Sequence, residues 1–201
     1  DGAPVVEHFE VVNNPENDAD GVRSVPFTGE LWIEQEDFRE VPPAKYFRLS
    51  PGREVRLRGA YFVTATDVVK DDDGNVVEVL ATYDPTTKGG SAEDGRRVKS
   101  TMHWVSRPHA LDISVAVYER LFTAEAPGQA TGEPLDDLNP NSRTILEGGK
   151  AEPALADAVP GEVVQFERIG YFAVDDRETH HFHRTVGLRD EWAALQKRAG
   201  K

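Results

Sequence analysis

Apolar and polar residues alternate in short runs along most of this chain, and turn-forming residues interrupt the runs at short intervals. A period of two places successive side chains on opposite faces of a strand. Strands are therefore expected at 5–12, across the alternation of 27–33, and at 54–58 after the turn signal Ser50-Pro51-Gly52. In this last run Val55 and Leu57 should point inward, with Arg56 and Arg58 projecting from the opposite face. Residues 34–38 read as a turn or one short helical turn. The stretch 60–69 is rich in β-branched and aromatic residues, and Asp72-Asp73-Gly74-Asn75 marks a hairpin returning along 76–83. Residues 110–122 read as a further strand pair with Tyr118, Leu121 and Phe122 in the core. A Pro/Gly/Asp-rich connector at 124–140 suggests a division into regions 1–123 and 124–201. More strands are expected at 144–145, 163–168 and 170–174, and Leu188, Trp192 and Leu195 fall at helical spacing within 188–198. About ten short strands without βαβ alternation predict an all-β protein of one or two barrels, closed by a short C-terminal helix.

Charge changes this picture. The 201 residues carry 36 Asp+Glu against 23 Lys+Arg, a net charge of −13 that argues at first against a phosphate-bearing partner. The positive charge is concentrated, however. Residues 45–58 hold Lys45, Arg48, Arg53, Arg56 and Arg58 against the single acid Glu54, and 96–107 hold Arg96, Arg97, Lys99 and Arg107 with no acid. Every other segment is net acidic. A fold that lays these two stretches together makes a basic surface that the overall charge hides; the plain alternative is a solvated strand face.

Other chemistry is sparse. The absence of cysteine excludes disulfides, zinc–thiolate sites and thiol catalysis. No apolar run approaches the roughly 20 residues of a membrane span, so no membrane partner is expected and a cytoplasmic location suits the chain. No Gly-rich phosphate loop, His-Glu-x-x-His or Gly-x-Ser-x-Gly motif occurs, and no reaction is assigned. In Thr179-His180-His181-Phe182-His183 the last two imidazoles would share a strand face and could bind a metal with a carboxylate from elsewhere. The simpler reading of 175–183 is a solvated loop, and no metal site is assigned. Asp71-Asp72-Asp73 suits a hairpin tip, and His103 and His109, flanking Trp104, suit structural or RNA-facing roles.

Seven blocks in one order resemble a known family. They are VPFTGELWIEQEDF (25–38), KYFRL with EVRLRGAY (45–61), ATYDP (81–85), DGRRVKSTMHWVS (94–106), AEP (151–153), VQFERIGYF (164–172) and RTVGLRDEW (184–192). Together they are similar to the C-terminal anticodon-binding region of glutaminyl-tRNA synthetase, with the corresponding region of archaeal and eukaryotic-type glutamyl-tRNA synthetases as near relative. The resemblance implies two antiparallel β-barrels related to ribosomal protein L25, gripping the splayed anticodon bases of tRNA-Gln. By position, Arg48 matches the arginine at the third base, Arg58 with Arg56 beside it the one at the first, and Gln165 with Arg168 the pair holding the central uracil. Lys45, Arg96, Arg97 and Lys99 complete the expected RNA-binding set. The family often has glutamine where Lys45 stands and lysine where Phe47 stands. Its Rossmann catalytic half, which uses ATP, has no counterpart here, so this chain is expected to hold no catalytic site or cofactor and to act as a monomer beside the catalytic domain of the same polypeptide. An L25-type ribosomal RNA-binding barrel and an acidic β module binding protein are the other readings of the pattern.

Overall fold

The computed structural model describes residues 5–188, which hold thirteen β-strands and six 3-10 turns and no α-helix. The chain is all-β, as the alternation predicts. Its strand pairs form four sheets, an arrangement compatible with two barrels. Two compact units emerge, one running to Ala110 and recovering Glu152–Ala154, the other comprising Leu111–Ala151 and the chain from Leu155. The stretch 124–140 thus connects two paired strands of the second unit. The helix expected at 188–198 lies, Leu188 apart, outside the described residues.

In the first unit β1 (Glu7–Val12) and β2 (Val22–Phe27) pair antiparallel from Glu7↔Phe27 to Val12↔Val22. The alternation of 27–33 is not one strand. β2 stops at Phe27, and β3 (Leu31–Trp32) resumes beyond a corner where the buried Thr28 hydroxyl donates to the Glu30 carbonyl at 2.8 Å and meets Ser106 Oγ at 3.0 Å. A side chain that satisfies the backbone at the corner keeps the polar–apolar rhythm while the strand ends. The expected turn at 34–38 is the 3-10 turn Gln35–Asp37.

β4 (Glu54–Leu57) buries Val55 and Leu57 as its alternation requires, but it ends at Leu57, so Arg58 sits in the turn that follows and not on the strand. β4 pairs antiparallel with β5 (Phe62–Lys70), which forms a hairpin with β6 (Val76–Asp84). At the hairpin tip Asp71 Oδ1 accepts from the amides of Asp73 and Asn75, which accounts for the acidic run. On its other side β4 runs parallel to β7 (Thr101–Met102), and β8 (Val105–Ser106) pairs with β3. The core is aromatic: Phe27 meets Phe9, Tyr61 and Trp104 edge-to-face at centroid distances of 5.7, 5.3 and 5.2 Å. Each such pair contributes about 0.5–1.5 kcal/mol beyond its area burial.

Glu152 is fixed within this unit by side chains far away in sequence. Its carboxylate receives Arg23 Nε at 2.5 Å and Nη2 at 3.1 Å, and lies 3.2 Å from His103 Nε2. Burial pushes the carboxyl pKa up, but the hydrogen bonds and charges of His103 and Arg23 outweigh it and bring it to about 2. The block AEP that marks this position in the sequence is thus a structural clamp.

The second unit is one five-stranded sheet in the order β10-β9-β13-β12-β11. It comprises β9 (Leu111–Tyr118), β10 (Arg143–Ala151), β11 (Val163–Phe166), β12 (Gly170–Val174) and β13 (His181–Gly187). Neighbours are antiparallel except β13 and β9, which run parallel through His181↔Ser114 to His183↔Ala116. Residues 110–122 are a single strand and not a pair. Beyond Tyr118 the chain bends, so Tyr118 (45 % exposed) and Leu121 (57 %) stand outside the core, while Phe122 forms an isolated bridge to Leu138. The core is built instead on Phe172 and Phe182, with Phe166 stacked 4.3 Å from Phe172. The reading of 175–183 as a solvated loop fails at its end, where His181 and Phe182 are buried on β13.

Two stability tests follow. Gly170 passes so close to β13 that a Cβ there would lie 2.4 Å from the Val186 carbonyl oxygen. Gly170→Ala should therefore cost about 1–3 kcal/mol in urea unfolding of the chain. Because the Glu152 carboxyl titrates below the ordinary glutamate value of 4.5, its contribution is complete above that pH and is lost as the pH falls towards 2. Glu152→Gln should destabilise the chain at pH 7 by about 2 kcal/mol, with the deficit against the parent shrinking from pH 4.5 downward. An unchanged deficit at pH 3 would show that the carboxylate charge is not what holds the clamp.

Candidate nucleic-acid interface

The two basic stretches meet in the first unit. β4 carries the first and β7 lies within the second, so their parallel pairing sets Arg56 beside Thr101. Backbone bonds extend the seam, from Arg56 N to the Ser100 carbonyl at 3.0 Å and from Arg58 N to the Met102 carbonyl at 2.9 Å. Trp104, 3 % exposed, donates its indole N–H to the Arg58 carbonyl at 3.0 Å. Arg58 is thus exposed while its peptide groups are fixed on both sides by residues of the other basic stretch. That geometry holds a side chain outward on a rigid base although the residue is in a turn. Lys99 completes the seam, with its ammonium 4.7 Å from the ring centroid of the half-exposed Phe47.

The remaining cations have distinct surroundings. Arg96 is gripped by three carboxylates: Nε–Glu54 Oε2 at 3.0 Å, Nη1–Asp94 Oδ2 at 2.8 Å, and Nη2 to Asp84 Oδ2. Hydrogen bonds from Thr86 and then Arg96 hold the Asp84 carboxyl at about 2, and those of Glu54, Asp84 and Asp94 push the Arg96 pKa up. Arg96 also lies 5.4 Å from the Phe62 ring centroid, and Arg56 lies 5.8 Å from the same ring. The Arg56 Nε is buried without a hydrogen-bond acceptor among the described residues. Gly90, at φ +83°, makes room for this side chain, since a Cβ there would stand 3.0 Å from Arg56 Cδ. Arg97 is exposed, and so is Lys45, which adopts φ +67° in a turn.

Arg48 is paired inward. Its Nη1 lies 3.1 Å from Oδ1 of Asp37, whose side chain is fully buried. Next to it Arg53 donates to the Tyr46 carbonyl, and the Tyr46 hydroxyl donates to the Glu36 carbonyl at 3.0 Å. Burial, and then the Asp37 charge, push the Tyr46 pKa up to about 12. These contacts brace the segment that presents Lys45 and Phe47. Asp37, Glu54, Asp84, Asp94 and Glu152 each fall inside one of the seven family blocks, but nothing in those blocks says which cation each acid meets. Glu54, a lone acid in a basic run, was the one signal that sequence reading could have used.

In the second unit Gln165 is exposed on β11 directly opposite Tyr171 of β12, which is 40 % exposed. Arg168 occupies the β11–β12 turn at φ +65°. An amide and an aromatic ring therefore stand opposite each other near a hairpin turn that carries the half-buried Arg168, whose Nε is buried, and Phe166 and Phe172 pack in the core. Such a set can stack a planar group and bond its edge.

Two family models match the chain, over residues 101–175 and 2–84, and both describe the anticodon-binding domain of class I tRNA synthetases (E and Q). Among curated relatives, a glutamine–tRNA ligase of Rhodopirellula baltica is 52 % identical over 98 % of this chain and 33 % of its own length. That of Nitrobacter winogradskyi is 52 % identical over 94 % and 34 %, and that of Escherichia coli O157:H7 is 48 % identical over 91 % and 33 %. The chain spans about a third of the length of the relatives it matches. With its paired basic stretches, all-β units and matching domains in order, the chain belongs to the anticodon-binding domains of the class I glutamyl- and glutaminyl-tRNA synthetases.

Proposed function

We propose that this chain reads the anticodon loop of tRNA-Gln as one part of a cytoplasmic glutamine–tRNA ligase, whose ATP-using catalytic half is another part of the same polypeptide. The observation that carries this reading is the seam between β4 and residues 96–104, which fixes the Arg58 backbone and leaves its side chain exposed in an otherwise acidic protein. Single-stranded loops are recognised by stacking and by bonds to exposed base edges, and arginine planes and aromatics on a β surface supply both. Arg58, with Arg56 behind it, addresses the first anticodon base and Arg48 the third; Lys45, Arg97 and Lys99 neutralise nearby phosphate. Arg96 acts mainly as the strut that keeps these groups in register. Gln165 and Arg168 address the central uracil, with Tyr171 as a stacking neighbour. The acidic remainder repels RNA that cannot occupy these positions.

Arg58 tests the reading most sharply. Its side chain is exposed, so truncation should change stability by no more than about 0.5 kcal/mol. A guanidinium forms a bidentate fork that lysine lacks. Arg58→Ala and Arg58→Lys should each weaken binding to tRNA-Gln by roughly 1–3 kcal/mol, with a loss that depends on the first anticodon base. The measurement is a titration of both variants against tRNAs differing at that base alone. Full rescue by lysine, or equal losses for every tRNA, would reduce Arg58 to a nonspecific charge.

A further inference from the structure

At one end of the second unit's sheet, Asp175, His181 and His183 each offer one ligand atom, and these atoms lie within 4.8 Å of one another. We propose that the three side chains form a binding site for a divalent d-block cation of the zinc type, which ties the β12–β13 connection to β13 and β9. The site goes beyond tRNA reading and shares no residue with the proposed RNA-binding set.

The strongest single observation is His181. It is 2 % exposed, its Nδ1 is 2.6 Å from Ser114 Oγ, and its Nε2 is buried with no hydrogen-bond partner among the described residues. An orphaned polar atom in such a place is costly, and a bound cation would offset that cost. His183 has the same division of labour. Its Nδ1 meets the Tyr118 hydroxyl at 2.7 Å, and its Nε2 faces Asp175 Oδ2 at 2.5 Å. Asp175 divides its oxygens too: Oδ1 accepts the amides of Arg177 and Glu178 at 2.6 and 2.8 Å, which leaves Oδ2 to the imidazole. Each candidate ligand is therefore oriented by a partner on its far side. That is the outer support characteristic of metal-binding imidazoles and carboxylates.

The donor set selects the ion. Two imidazoles and one carboxylate suit zinc, whereas calcium and magnesium take oxygen ligands. Ligand bonds of about 2.0–2.1 Å in a tetrahedron spread the ligand atoms about 3.4 Å apart, so the Asp175–His183 pair would open by roughly 0.9 Å to admit the ion. A fourth position would face the cleft lined by Tyr118, Arg143, Asp175 and His183, where water can enter. Ser114 and Tyr118 lie on β9, His181 and His183 on β13, and Asp175 follows β12. The ion would thus fasten the end of the sheet where β13 joins its parallel neighbour.

The test uses the untagged 201-residue chain, stripped with a chelator, given one equivalent of zinc and dialysed. One zinc should remain per chain, the melting temperature should rise, and cobalt in its place should give the visible absorption of a tetrahedral site. His183→Gln and Asp175→Asn keep hydrogen-bonding groups in place and remove a ligand; both should lose the retained zinc and the thermal shift. Ser114→Ala and Tyr118→Phe, which keep all three ligands, should weaken zinc binding by roughly tenfold to a hundredfold. If either ligand variant fails to fold by circular dichroism, these two support variants decide. No retained zinc in the parent chain, or equal retention in the variants, would overturn the site and leave a hydrogen-bonded His–Asp pair. Either outcome is read without tRNA, so it stands apart from any test of anticodon reading.

Discussion

The arrangement of positive charge in the first unit depends on one guanidinium. Arg96 meets Glu54 at the start of β4, Asp84 at the end of β6 and Asp94 in its own loop, over the ring of Phe62. A planar fork with five donors can join three carboxylates at fixed angles, which a lysine ammonium cannot. The segment that leads into β7 is thereby seated against β4, and Arg97, Lys99 and Trp104 follow from that seating.

This gives the acidic composition a structural meaning. Asp37 braces Arg48, Glu152 clamps Arg23 with His103, and three carboxylates hold Arg96. Arg23 and Arg96 position the backbone, Asp37 orients the partly exposed Arg48, and Arg58, Arg97 and Lys45 are exposed. A net-negative chain can present a small basic surface because part of its acid excess is paired with the cations that brace that surface.

What was legible in the sequence was local. The alternation of Glu54–Leu57, the Asp71–Asn75 turn and the turn at Gln35–Asp37 depend on neighbours within a few residues, and each appears where its pattern puts it. The parallel pairs β4–β7 and β9–β13 were not legible, because parallel pairing joins segments with long connections and leaves no mark in either strand. The same distance hid the carboxylates of the site: Glu152 meets residues 129 and 49 positions away. Tyr118 and Leu121 misled because an apolar residue in a run looks the same whether its strand continues or bends. Of the candidate site, the concentration of positive charge at Arg58, Arg97 and Lys99 was legible. The inward pairing of Arg48 and the strut role of Arg96 were not, since charge counting does not say which way a side chain is turned.

The sheet order of the second unit also dictates when that unit can exist. β13 is the last of the described strands, yet it lies between β9 and β12 at the middle of the sheet. On the ribosome, where synthesis proceeds at about 5–20 residues per second, β9–β10 and β11–β12 emerge first as two separate antiparallel ribbons. Each exposes one strand edge and one flank of the future core until residues 181–187 arrive to join them. The first unit needs nothing later than Glu152–Ala154 and can complete itself while its neighbour is still two halves. A nascent chain stalled before Phe182 would therefore hold a finished charge-bearing unit beside an open, aggregation-prone one, and that interval is when a chaperone has something to bind.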